Sequence, residues 1–269
     1  MKKIKMYLIN LLGIIFLIYV LVVIVIYLSQ RKLLYHPTEN NYLDEKNLNH
    51  KIEKVLINSD TDLVAWYYNK SKNKNTLLFF HGNAGKLDNR VYKLNELSKL
   101  DINYLIVAYR GFSGNKGKPN EKGLYKDSEA AKAWLNLKGV EDQNIILYGE
   151  SLGTAIAVNL ASNNNFSGLI LESPFTSMVT LAQTYYPYIP VKYLLKDKFE
   201  SLKKLHKITC PILVMHGKKD KIVPFEMGVQ MFENSNSPKY KYFNNSDDHM
   251  MDFNFELIKN IRNFIESLN

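Results

Sequence analysis

Residues 144–155, NIILYGESLGTA, decide the fold. The stretch opens as a short apolar run of the kind that makes a buried strand and closes in helix-forming residues. Between them, Gly149 to Gly153 spell G-x-S-x-G, the pattern of a sharp strand-to-helix turn. Such a turn forces its serine into a strained backbone conformation and holds the hydroxyl above the sheet edge, while the glycines let neighbouring chain pass close by. Ser151 is therefore the candidate nucleophile. The backbone N–H of Leu152, at the helix start, is a candidate oxyanion donor. Purely structural turns carry the same five residues, so the partners of Ser151 decide between the two readings.

On both sides of this turn the chain alternates short apolar runs with helical patterns. KIEKVLIN (51–58) and DLVAWYY (62–68) flank a Ser-Asp-Thr turn and read as an antiparallel hairpin. NTLLFF (75–80), NYLIVAY (103–109), NIILY (144–148), GLILE (168–172) and PILVMH (211–216) are nearly continuous apolar runs, as expected of parallel strands covered on both faces. Helical patterns cover about 88–100, 121–138, 152–162, 224–234 and 253–267, and KYKYF (239–243) supplies a last strand. This order implies an α/β fold, an open and mostly parallel sheet wrapped by helices. Residues 175–207 exceed what one crossover helix needs. They suit either a small cap over the C-terminal ends of the strands or two surface helices broken by Pro187 and Pro190.

In this architecture the nucleophile is followed by an acid and then by a histidine. Of six histidines, only His206, His216 and His249 follow Ser151. His216 precedes the best acid and suits a turn brace, and His206 lies in a lysine-rich helix. His249, in NNSDDHMMDF between the last strand and last helix, stands where a base belongs. Asp220, in HGKKDKIVP, follows a strand and can orient the imidazole; Glu172, ending the preceding strand, is the alternative acid. Asp247 and Asp248 sit too near His249 in sequence to face it. In FFHGNAGKLDN, Gly82 and Gly85 let the backbone curl so that the N–H of Asn83, or of Ala84, can serve as second oxyanion donor, with His81 bracing the turn.

The front of the chain is different in kind. MYLINLLGIIFLIYVLVVIVIYL, residues 6–28, carries no charge and is long enough to cross about 30 Å of hydrocarbon. It exceeds the h-region of a secretory signal, and no small-residue cleavage site follows, which favours an uncleaved transmembrane anchor. The organisation expected is an anchor over 1–30, a linker over 31–50 and one catalytic domain over 51–269. Lys2, Lys3 and Lys5 precede the span while Arg31 and Lys32 follow it, so the charge balance leans towards a cytoplasmic N-terminus and an extracytoplasmic domain.

The 269 residues carry a net charge of +9, of which the three leading lysines contribute three, leaving +6 beyond the span. A basic domain beside anionic lipid is physically sensible. The lysines are scattered and no basic stripe is interleaved with aromatics, so nucleic acid is not an expected partner. YRGFSGNKGKP has neither dinucleotide nor P-loop spacing, and no HExxH, CxxC or acidic triad suggests a metal. The single Cys210 forms no intrachain disulfide.

Taken together, LLYHPT, FFHGNAG, YRGFSG, GKPNEKGLYKDSEAA, YGESLGTAIA, ESPFTSM and HGKKDKIVP resemble the α/β-hydrolase superfamily, specifically its membrane-anchored serine hydrolase branch with the bud-emergence hydrolases and protein depalmitoylases. The resemblance covers roughly residues 33–267. It implies an α/β-hydrolase fold, a triad of Ser151, Asp220 and His249, and oxyanion donors Asn83 and Leu152. It departs from the family at GFSGNKG in the rim loop and in a histidine loop that lacks a glycine-containing lead-in. The activity expected is cleavage of a carboxylic ester or thioester through an acyl-enzyme, with no cofactor, and the tether together with the Tyr-rich stretch in 175–207 points to a lipid or an acylated protein as substrate. A serine peptidase of the same fold, or a tethered binding module without chemistry, is the alternative.

Overall fold

The apolar runs form the strands, and the amphipathic stretches between them form the helices that cover those strands. The structure, a computed structural model, describes residues 2–38, 47–71, 74–236 and 238–268. It opens with α1 (Lys2–Leu34), followed by β1 (His36–Pro37), β2 (Glu53–Asn58), β3 (Asp62–Tyr68), β4 (Thr76–Phe80) and β5 (Ala84–Gly85). Then come α2 (Val91–Leu97), β6 (Asn103–Val107), α3 (Glu121–Leu137), β7 (Ile145–Glu150), α4 (Leu152–Ala161), β8 (Gly168–Glu172), α5 (Met178–Tyr185) and α6 (Val191–Leu194). The chain closes with β9 (Ile212–Gly217), α7 (Phe225–Glu233), β10 (Lys239–Asn244) and α8 (Phe255–Glu266).

The main sheet has eight strands in the order β10-β9-β8-β7-β4-β6-β3-β2. From β10 to β6 every pairing is parallel, while β3 pairs antiparallel with β6 and β2 antiparallel with β3, the expected hairpin at one edge. Each parallel strand has two apolar faces because each face is covered. Leu78, Phe80 and Leu147 pack towards α3, α4 and α7, and Leu77, Phe79 and Ile146 pack towards α2 and α8. Strand β7 sits near the middle of the sheet. The loops that leave β7, β8, β9 and β10 therefore converge at the carboxyl edge, where open α/β sheets place their sites.

Helix α1 continues to Leu34, four residues beyond the expected anchor boundary. Its last turns are held by the domain: Arg31 pairs with Asp197 at 2.9 Å, and Gln30 accepts the Lys196 N–H at 2.7 Å. The first stretch of the expected linker is thus helix and then strand. Residues 39–46 of that linker lie outside the described residues. Strand β1 pairs with β5, tying the end of α1 to the loop after β4, a pairing of two-residue strands too short to leave a pattern in the sequence.

Candidate active site

Ser151 stands between β7 and α4 with φ of +51° and ψ of −113°, a left-handed conformation that costs a residue with a Cβ on the order of 1–3 kcal/mol. The surrounding hydrogen bonds hold it there. The Ser151 N–H donates to the Glu172 carbonyl at 2.9 Å, and its own carbonyl accepts from the Thr154 hydroxyl at 2.6 Å. The turn is tight enough that a Cβ on Gly153 would fall 1.9 Å from the Phe80 carbonyl oxygen, so only glycine fits between α4 and β4.

The Ser151 Oγ lies 2.9 Å from His249 Nε2, and His249 Nδ1 lies 2.8 Å from Asp220 Oδ2. With a carboxylate as its partner, Nδ1 carries the proton, which leaves the Nε2 lone pair to accept the serine hydroxyl. Asp220 is anchored on every side. Its Oδ1 accepts the N–H groups of Ile222 and Val223 at 2.8 Å each, and its Oδ2 also accepts His216 Nε2 at 3.0 Å. Burial alone would raise the carboxyl pKa, but the hydrogen bonds from His216 and His249 outweigh it and hold the group well below the usual carboxylate range. Asp220 is therefore an anion at neutral pH.

The loop carrying His249 has no glycine of its own, and the structure supplies the room from below. Asp247 crosses directly over β9, where a Cβ on Gly217 would meet its carbonyl oxygen at 2.3 Å. The Ser173 hydroxyl then fixes the loop by donating to the His249 carbonyl at 3.0 Å. Ser173 is a positioning side chain that no pattern in the sequence marks. His216, expected to brace a turn, does reach the Val223 carbonyl at 3.1 Å, and it also shares the Asp220 oxygen with His249.

Glu172, the alternative acid, points elsewhere. It is buried against Lys93 Nζ at 2.6 Å and accepts the Tyr148 hydroxyl at 2.5 Å. Lys93 also reaches Glu150 at 2.8 Å, and Arg90 reaches Glu150 at 2.6 Å. Two cations and two carboxylates thus balance beneath the turn. Burial pushes Glu172 upward, whereas for Glu150 the pull of Lys93 and Arg90 overcomes burial and holds it low. This cluster grips the neighbouring loop, for the Gly82 N–H donates to Glu150 at 3.2 Å and Arg90 donates to the Ala84 carbonyl at 2.8 Å.

That loop carries Asn83, and the structure brings Asn83 and Leu152 to the same cavity as Ser151. Leu152 is the first residue of α4, where backbone N–H groups have no intrahelical acceptor. The Asn83 carbonyl accepts the His36 N–H at 2.9 Å, and its side chain donates to the Leu34 carbonyl at 2.8 Å, leaving the loop backbone fixed on both sides. His81 braces the turn as expected, with Nδ1 2.7 Å from the Gly82 carbonyl oxygen and its ring against Tyr109. Burial, helped by Arg90, pushes its pKa down to about 3, so it is neutral and takes no charge into the site. His206 is exposed on the surface.

The cavity above Ser151 holds about 310 Å³. Its roof is a cap made by α5, α6 and the loop between them, with Met178, Leu181, Ile189 and Val191 facing inward. Of its lining, only Gln30, Asn83 and Ser151 are polar non-aromatic residues, and none is ionised. Among the described residues no group of three or more His, Cys, Asp or Glu is placed to hold a metal.

The sequence profile of the prolyl oligopeptidase family matches residues 90–249, a span that contains Ser151, Asp220 and His249. The chain is 32% identical over 223 residues to an uncharacterized protein of Mycobacterium tuberculosis, covering 81% of this chain and 79% of that protein. It is 38% identical over 171 residues to alpha/beta hydrolase domain-containing protein 17B of Homo sapiens, covering 61% of this chain and 57% of the human protein. Among solved structures, an esterase of Pyrococcus furiosus superposes with a TM-score of 0.71 at 17% identity, over 88% of this chain and all of the esterase.

Proposed function

Because the chain belongs to the prolyl oligopeptidase family of the α/β-hydrolase superfamily and is thus a hydrolase, we propose that it is a membrane-anchored serine hydrolase that cleaves carboxylic esters or thioesters through an acyl-enzyme on Ser151. One observation carries the reading: the hydrogen-bonded chain from Ser151 through His249 to Asp220 opens onto an apolar cavity.

In the proposed reaction His249 Nε2 takes the hydroxyl proton as Ser151 Oγ attacks the acyl carbonyl. Asp220 holds the imidazole in the Nδ1–H form and stabilises the cation that results. The N–H groups of Asn83 and Leu152 receive the charge that develops on the carbonyl oxygen. His249 then protonates the leaving alcohol or thiol, and water, activated by the same histidine, releases the acid and regenerates Ser151.

Two observations support an uncleaved anchor. Helix α1 is long and apolar enough to cross a membrane. Residues within the apolar run also touch the folded domain, since Ile26 lines the cavity and the Tyr19 hydroxyl donates to the Tyr188 carbonyl at 2.9 Å, so cleavage after the run would remove those contacts. The charge balance around the span favours an extracytoplasmic domain.

The family match favours a second reading, a peptidase using the same residues. The cavity weighs against it, because a peptide backbone brings donors and acceptors that this wall leaves unpaired, at about 1–3 kcal/mol each. The test is hydrolysis of matched ester, thioester and anilide substrates by the detergent-solubilised chain. Turnover of esters or thioesters that disappears in Ser151→Ala supports the proposal. Turnover of the anilide alone replaces it with the peptidase, and no turnover by folded protein replaces it with a binding module.

A further inference from the structure

One wall of the cavity above Ser151 comes from the anchor. Ile26, Gln30, Leu33 and Leu34 line it, at spacings that put all four on one face of α1. From Ile26 to Leu34 the helix rises about 12 Å. At the upper end, the Leu34 carbonyl accepts the Asn83 side chain, so the cavity reaches the oxyanion loop there. With α1 as the proposed anchor, the bilayer would lie at the lower end. If hydrocarbon begins at Met6, about 20 residues at 1.5 Å cross about 30 Å and bring its far boundary to the level of Val25.

The cap reaches below that boundary. The Tyr19 hydroxyl donates to the Tyr188 carbonyl at 2.9 Å. Tyr19 lies six residues before Val25, about 9 Å inside the hydrocarbon, which matches the roughly 5–10 Å depth of interfacial elements. The cap tip has the composition such a position demands. Tyr188 is 87% exposed and Tyr193 is 82% exposed, while residues 178–196 contain no Asp or Glu. The ammonium of Lys196 lies 4.3 Å from the ring centroid of Tyr27 on α1, and Lys192 stands beside Tyr193, each on a stem long enough to reach phosphate headgroups. Exposed aromatic rings flanked by lysines are poor company for water and good company for a membrane interface.

We infer that the acyl chain of the substrate passes from the near leaflet into the cavity along the Ile26–Leu34 face of α1, with the cap tip seated in that leaflet. The substrate class is then an ester or thioester whose long acyl chain is already embedded in the bilayer. The inference rests on the proposed roles of Ser151 as acyl acceptor and of α1 as anchor, and adds that the anchor is a wall of the acyl site.

The test uses the full chain reconstituted in vesicles of phosphatidylcholine and phosphatidylglycerol. Tyr188→Cys carries an environment-sensitive fluorophore, attached selectively because Cys210 is buried. Quenching by nitroxide-bearing lipid and protection from aqueous iodide are expected. Ile26→Trp, placing a bulky ring in the lower cavity, should lower the ratio of sixteen-carbon to four-carbon thioester hydrolysis by about tenfold or more relative to wild type. Fluorophosphonate labelling of the same preparations reports the nucleophile separately. If the wild type labels, iodide quenching of the Tyr188→Cys probe, or a chain-length ratio unmoved by Ile26→Trp, overturns the route alone. A folded wild type that does not label overturns the hydrolase reading and the route with it.

Discussion

Lys93→Met isolates the charge cluster beneath Ser151. Lys93 Nζ touches both Glu150 and Glu172, at 2.8 and 2.6 Å, and none of the three side chains is more than 2% exposed. Methionine fills similar space without charge, leaving Arg90 to face Glu150 and the Tyr148 hydroxyl alone to face Glu172. Removing one partner of a buried ion pair costs about 3–5 kcal/mol. Near the melting temperature, a domain of this size loses roughly 2–4 °C per kcal/mol, so Tm should fall by about 6–20 °C. Thermal unfolding of the solubilised chain at pH 8, followed by circular dichroism, measures it. The deficit has a sign in pH. Glu172 is already raised by burial, and without Lys93 it rises further, so the folded variant binds a proton that the unfolded chain has lost. The penalty should therefore shrink as the pH is lowered to 5. Glu172→Gln in the Lys93→Met background should recover at least half of the loss, which a double-mutant cycle reads as coupling. A fall in Tm below about 2 °C, with no coupling, would refute this account of the cluster.

Three other perturbations probe separate parts of the site. Gly153→Ala puts a Cβ 1.9 Å from the Phe80 carbonyl oxygen, so the turn must shift; we expect about 1–3 kcal/mol of lost stability in urea and roughly 100-fold lower esterase activity. Asp220→Asn keeps the shape but forfeits the Nδ1–H tautomer and the charge, which should lower kcat by about 10³–10⁴-fold with little change in KM. His81 is held down to about 3 when folded and titrates near 6.5 when unfolded, so its contribution is complete above about pH 6.5 and fades towards pH 3. Acidification from pH 7 to 4.5 should cost about 3 kcal/mol through this group, and a His81→Phe variant should lack that part of the slope.

The sequence makes the scaffold legible because burial on both faces turns parallel strands into unbroken apolar runs, and those runs become β4, β6, β7, β8 and β9 within a residue or two. The G-x-S-x-G turn is legible because it needs only adjacent residues. What depends on strand register is not. Glu172 and Asp220 both end or follow parallel strands, and only the pairing of Glu172 beside Glu150 and Met215 turns it into the charge cluster, away from His249. The partners of that cluster stand 57 to 79 residues apart, and a lysine inside the short helical stretch VYKLNEL gives no hint that it is buried. The proposed double duty of α1 is hidden for a similar reason. Twenty-three uncharged residues are explained by a bilayer alone, so nothing in that pattern asks what Ile26 and Leu34 also touch.

The central claim is that Ser151 is an activated nucleophile, and site-mapped covalent labelling tests it most directly. Full-length protein is treated with a fluorophosphonate, digested and analysed by mass spectrometry, beside the Ser151→Ala and His249→Ala variants. The account predicts one adduct on the peptide containing Ser151 in the wild type and none at that site in either variant. Folded wild-type protein that takes no label, or labelling of Ser151 that persists undiminished without His249, would contradict it.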